Sequence, residues 1–212
     1  MMRSRWFGYW ATAVAAAASL LVYPRLPPRV VVHFTAAGQP NGYGSRLEAV
    51  IVLPLAMLGL CALFELLPRL DPRRENDRVF GDTYWLMVNG LLLFLGALHL
   101  ALLAVALGVP LRIDRVVAVA FGLLLVVIGS YLARVAPNWF MGIRTPWTLS
   151  SEDVWRRTHR LGGRVFVAGG LLCVLTVFVP TRAALPVLAG VLLVCVLVSV
   201  VGSYVLWRQE GH

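Results

Sequence analysis

The sequence predicts an all-α polytopic membrane protein: a helical bundle with six transmembrane helices, one ordered extracytoplasmic loop and one cytoplasmic interfacial helix. Three observations predict it. The 212-residue chain is 59% hydrophobic and only 14% charged, which leaves too little polar surface for a water-soluble domain. Its aliphatic runs reach about 20 residues, the length at which a helix crosses a hydrocarbon core of roughly 30 Å. The runs lack the two-residue alternation of a membrane barrel, so their backbone must be satisfied as helix.

The runs put spans at about 6–24, 47–67, 84–107, 113–136, 162–180 and 184–207. We read 1–212 as one integral membrane domain, with 1–67 holding two spans and 84–207 the other four. The first span follows the basic start MMRSR. It runs into Tyr23-Pro24 without a small-residue cleavage site, which predicts a retained helix and not a signal peptide. Spans three and four are joined by LGVPLRIDR and the last two by PTRAAL, connections too short to hold a domain. Room for a site remains in 25–46, 68–83 and 137–161.

Arginine supplies all nineteen Lys-or-Arg residues and a net charge of +9. With the N-terminus in the cytoplasm, thirteen of them fall on that side and six outside, which predicts that both termini are cytoplasmic. Clustered beside apolar spans, they point to membrane lipids as partners and away from direct nucleic-acid binding. Cys61, Cys173 and Cys195 each sit in an apolar run without metal or redox spacing, so neither a metal nor a cofactor is expected. No motif recurs between the halves, which removes the best support for an inverted-repeat transporter.

The first loop reads RLPPRVVVHFTAAGQPNGYGSR. VVVHF has β-branched, strand-like character, and Gly38, Pro40, Gly42 and Gly44 supply turns, so a compact, ordered excursion is expected. His33, Asn41 and Tyr43 either cap the bundle or line a ligand mouth; His33 has no second ligand at metal spacing. The second loop, PRLDPRRENDRVFGDT, alternates its charges like a solvated surface at the headgroup boundary.

The third connection begins the segment NWFMGIRTPWTLSSEDVWRRTHRLGG, residues 138–163. Ser150 as N-cap, Asp153 in the capping-box position and Leu149 with Val154 as a staple predict a helix from Ser151. Val154, Thr158, Leu161 and Val165 fall on one side of it, and Arg157, Arg160 and Arg164 on another. Such a helix lies along the interface until Gly162-Gly163 lets the chain turn into the fifth span. Ahead of it, Asn138, Arg144 and Thr145 stand among Trp139, Phe140 and Trp147, with Pro146 fixing the backbone. Guanidinium beside indole either binds an anionic headgroup, phosphate or carboxylate, or forms an aromatic belt with Arg144 paired to Glu152 or Asp153. Trp155, His159 and Arg160 complete this candidate ligand- or partner-binding set.

Within the spans, Glu65, Asn89 and His99 are the unusual polar residues, together with Ser130, Tyr131 and Ser203-Tyr204. Glu65 and Asn89 lie near cytoplasmic ends and reach the interface. His99 lies deeper, either as a functional group or as a neutral imidazole bonded to a neighbouring helix. No nucleophile, metal-protease or cofactor motif is present, so no catalytic residue is assigned.

NWFMGIRTPWTLSSEDVWRRTHRLGGRVFVAGG closely resembles the C-terminal signature of the SdpI-like immunity proteins, with Met141 standing where some relatives run directly from aromatic to glycine. LPPRVVVHFTAAGQPNGYGS resembles the domain of unknown function that precedes that signature in many members. The resemblance implies a bacterial inner-membrane protein that gives resistance to a secreted antimicrobial peptide toxin, its partner. It also implies coupling, as in the best-known member, to a transcriptional repressor recruited from DNA. The alternative is a membrane enzyme or transporter acting on a lipid-linked or other anionic substrate, with Arg144, His159 and Arg160 holding the anion and His33 or His99 moving a proton.

Overall fold

The computed structural model describes residues 4–35, 38–70 and 81–211. The alternating charges at 71–80 of the second loop lie outside the described residues. In chain order the elements are α1 (Trp6–Val22), β1 (Arg29–Phe34), β2 (Pro40–Ser45), α2 (Arg46–Leu70), α3 (Asp82–Ala106), α4 (Ile113–Leu132), α5 (Pro146–Ser150), α6 (Glu152–Leu175) and α7 (Thr181–Arg208). Six helices, all but α5, are long and apolar enough to cross a membrane. The expected all-α bundle of six spans is therefore what the chain forms.

Apolar burial alone does not drive helices together in lipid, because acyl chains are as apolar as leucine; close fit and interhelical hydrogen bonds must do it. The helices α1, α2 and α3 pack around Ala15, Met57, Cys61, Tyr84 and Leu92, with the Tyr84 hydroxyl donating to the Phe64 carbonyl at 2.6 Å. The helices α4, α6 and α7 pack around Ala118, Leu125, Cys173 and Leu188, and α3 against α4 joins the two groups. Between α4 and α6 the backbones nearly touch. A Cβ at Gly129 would lie 2.6 Å from the Gly163 carbonyl oxygen, and one at Gly122 would lie 2.6 Å from that of Gly170. The glycines recur seven residues apart on both helices, two helical turns, so one glycine face meets the other.

This contact corrects one expectation. Gly162-Gly163 is not a turn between an interfacial helix and a span: α6 runs unbroken from Glu152 to Leu175. Each glycine costs about 1 kcal/mol of helix propensity, but Gly163 seats against Gly129, and a side chain at Gly162 would run into Ile143. Two boundaries move with it. The fourth span ends at Leu132, and the N-cap of α6 is Ser151, whose side chain accepts from Val154 N–H at 3.2 Å. Ser150 is instead the last residue of α5, a short helix absent from the sequence reading.

The first loop is the ordered excursion expected, an antiparallel hairpin with Val31 opposite Tyr43 and a register irregularity at His33. Its turn uses Gly38 at φ +71, and Thr35 N–H donates to the Gln39 carbonyl at 2.8 Å. Leu26 and Val30 pack on Val50 and Leu103, while the tip, at Phe34 and Gly38, reaches Ile113 and Asp114 on α4 and Leu188 on α7. The hairpin thus straps both helix groups together at the end of the bundle away from the termini.

Candidate functional site

The segment between α4 and α6 is a folded cap at the opposite end. Asn138 sets its first turn and is 1% exposed. Its Oδ1 accepts from Phe140 and Met141 N–H at 2.8 and 2.6 Å, and its Nδ2 donates to the Ala136 and Met141 carbonyls, both at 2.9 Å. One amide thus uses its full bonding capacity to hold a bend that has no helix or strand ladder. Asn138→Ala is expected to cost about 2 kcal/mol, since part of the freed backbone can reach water; a fall of several degrees in the melting temperature of the detergent-solubilised protein checks it.

The chain then passes Gly142 at φ +115 and meets His159 of α6. Ile143 N–H donates to His159 Nε2 at 3.0 Å, and His159 Nδ1 lies 2.8 Å from the Trp155 carbonyl oxygen. A carbonyl can only accept and an N–H can only donate, so this pair of bonds specifies the neutral Nδ1–H tautomer. The imidazole stacks on the Trp155 indole with centroids 4.0 Å apart, and Trp155 Nε1 donates to the Val135 carbonyl at 2.8 Å, back at the end of α4. His159 and Trp155 are both buried.

Next, Thr145 caps α5, with Pro146 at the first helical position where a missing N–H costs nothing. Thr145 N–H donates to Thr148 Oγ1 at 2.8 Å, and Thr148 N–H to Thr145 Oγ1 at 3.3 Å. Ser203 of α7 takes a hydrogen bond from Trp147 Nε1 and lies 3.2 Å from Thr145 Oγ1, and just past the end of α7 Ser151 Oγ donates to Glu210 at 3.2 Å and Arg157 to Gln209 at 3.1 Å. The Trp147 ring also meets Tyr204 edge-on at 5.3 Å. The cap therefore binds α4, α6 and α7 to one another.

The candidate residues now separate by role. Asn138, Thr145, Trp155 and His159 are buried in the cap's own bonding, Trp147 is half-buried, and Trp139, Arg144 and Arg160 are exposed. Arg144 pairs with neither Glu152 nor Asp153; it donates to the Trp139 carbonyl, and Asp153 is taken by Arg156 at 2.9 Å and Arg157 at 3.7 Å. Arg144, His159 and Arg160 do not converge: His159 is closed off by its backbone bonds, and Arg160 lines an outer groove between α4 and α6. At the hairpin, Asn41 Oδ1 lies 2.6 Å from His33 Nδ1, and Tyr43 is 63% exposed.

The intramembrane residues do not form one site either. Asn89 donates to the Ser4 carbonyl at 2.9 Å near the start of α1, Glu65 is half-buried on α2, and His99 Nε2 lies 2.8 Å from Ser19 Oγ near the end of α1. Ten residues of helix, ~15 Å, separate Asn89 from His99. Gly129, Gly142 and Thr148 were not among the residues singled out from sequence; Gly163 was taken for a turn, and Ser203 stood out only as a polar residue within a span. The seven-residue recurrence of glycine was the available signal for the helix contact; Ser203 showed as a polar residue in an apolar run, but its partners Thr145 and Trp147 are distant in the chain.

Residues 134–204 match the model of the SdpI/YfhL protein family, and residues 10–58 match that of a domain of unknown function, DUF1648. The first match takes in the cap and the second the hairpin. Among curated proteins the chain is similar to the immunity protein SdpI of Bacillus subtilis (strain 168), 24% identical over 191 residues, which cover 90% of this chain and 89% of that protein. No solved structure matches. The resemblance read from both signatures holds, and the chain is a multi-pass membrane protein.

Proposed function

We propose that this chain is a membrane immunity protein of the bacterial inner membrane, giving its cell resistance to a secreted antimicrobial peptide toxin. The observation that carries the reading is its similarity, along 90% of its length, to a protein named for immunity. The excess of arginine at the cap end supports a cytoplasmic cap with both termini beside it, and hence an external hairpin. On this reading the toxin meets the face bearing His33, Asn41 and Tyr43. Of these, Tyr43 offers the largest exposed aromatic surface, the kind of residue that anchors peptide contacts. On the inner side, exposed Trp139 and Arg144 offer a rim for a cytoplasmic partner such as a transcriptional repressor. Asn138, Thr145, Trp155 and His159 act as positioning residues beneath that rim.

Survival of a toxin-sensitive bacterium tests the reading. Expression of the wild type is expected to protect against at least one secreted peptide in a panel. At equal membrane abundance, Tyr43→Ala is expected to lower the tolerated toxin concentration on the order of tenfold, the effect of losing one contact of about 1.4 kcal/mol. A well-inserted wild type that protects against none of the panel refutes immunity.

A further inference from the structure

We infer that the groove on the outer face of the α4–α6 pair is a binding site for an anionic phospholipid, independent of the toxin reading. The groove, about 490 Å³, opens where the two backbones nearly touch at Gly129 and Gly163 and the small side chains of Ser130, Ala133 and Ala168 stand beside the contact. At one end stand Arg160 and Arg164, one turn apart and both exposed. Their neighbours Arg156 and Arg157 share Asp153; Arg160 and Arg164 have no ion-pair partner among the described residues. The other end is apolar, running past Val167 to Leu171, and the chain carries no charge between Arg164 and Arg182.

Depth matches these two characters. With Gly129 beside Gly163 and Gly122 beside Gly170 in antiparallel helices, Arg164 is level with Ile128, four residues short of the end of α4 at Leu132. That is ~6 Å below the helix end, a depth from which a guanidinium reaches phosphate; Leu171 lies ~10 Å deeper. A ligand that fills the groove must carry negative charge at the membrane surface and a hydrocarbon chain beneath it. A free phosphate would use only the arginines. A peptide would find no backbone partners, because both helices satisfy their own.

Native mass spectrometry of the full chain, titrated with phosphatidylglycerol and with phosphatidylcholine of the same acyl chains, tests the site. Retention of phosphatidylglycerol is expected to exceed that of phosphatidylcholine on the order of tenfold, from two basic contacts at the headgroup. R160Q/R164Q is expected to remove the preference, and R156Q/R157Q to keep it although the charge change is the same. A168F, which fills the apolar end without altering charge, is expected to reduce retention of both lipids. Equal retention of the two lipids by the wild type overturns the site, as does an equal loss in R156Q/R157Q. Displacement of phosphatidylglycerol by millimolar inorganic phosphate overturns it too, by showing a simple anion site.

Discussion

Gly163→Ala is expected to push α4 away from α6 and to destabilise the bundle by about 2 kcal/mol. The new methyl carbon would sit 2.7 Å from the Gly129 carbonyl oxygen. That atom belongs to a helix backbone and cannot rotate aside, so the helices themselves must move. Alanine recovers about 1 kcal/mol of helix propensity. Overpacking costs about 1–3 kcal/mol, and separation also forfeits dispersion contacts along the interface, so the loss prevails. Gly129→Ala makes the reciprocal clash, its methyl carbon 2.6 Å from the Gly163 carbonyl oxygen, and the double variant is expected to cost less than the sum, because helices already parted have room for the second methyl. Gly59→Ala on α2 is the control: nothing lies within 4 Å of its added carbon, so stability should hold or rise slightly. Melting temperatures of the detergent-solubilised variants read all four.

Gly142→Ala is expected to have the larger effect, about 3–4 kcal/mol, with the damage confined at first to the cap. At φ +115 an L side chain is strained by about 1–3 kcal/mol whatever space surrounds it. Here the added carbon would also overlap His159 Nε2, the acceptor of the Ile143 N–H. The imidazole would have to leave, which breaks its two backbone bonds and its stack on Trp155. His159→Ala alone opens that space but strands the Ile143 donor and the Trp155 carbonyl, a loss of about 1–3 kcal/mol. In combination with Gly142→Ala it should therefore add little. Melting temperature together with limited proteolysis at 138–145 checks this: the variant loop is cut at temperatures where the wild-type loop survives.

These two glycines show where the sequence was readable. The six spans follow from lengths of apolar chain, and an ordered first loop from valines bounded by Gly and Pro, because both depend on residues close in sequence; the pairing of that loop as a hairpin came only with the structure. Gly162-Gly163 was taken for a break and is a close approach, since glycine marks both alike and only the facing helix decides between them. The polar density of Asn138–Arg160 was visible, but its use was not. Asn138, Trp155 and His159 spend their polar atoms on backbone groups whose positions are set by the tertiary fold, whereas Arg144 and Trp139 keep exposed surface. Periodicity within one helix did separate Arg160 and Arg164 from buried Val154 and Thr158, and the structure keeps that division.

Sidedness is the point on which toxin contact at the hairpin stands or falls. All three native cysteines are buried, so a single introduced thiol reports its own location. Tyr43→Cys and Arg144→Cys, each probed with a membrane-impermeant maleimide, make the comparison. The account predicts that Cys at the hairpin is labelled in intact cells and that Cys at the cap is labelled only once the membrane is opened. Labelling of the cap in intact cells, with a hairpin protected until the membrane is breached, would contradict it.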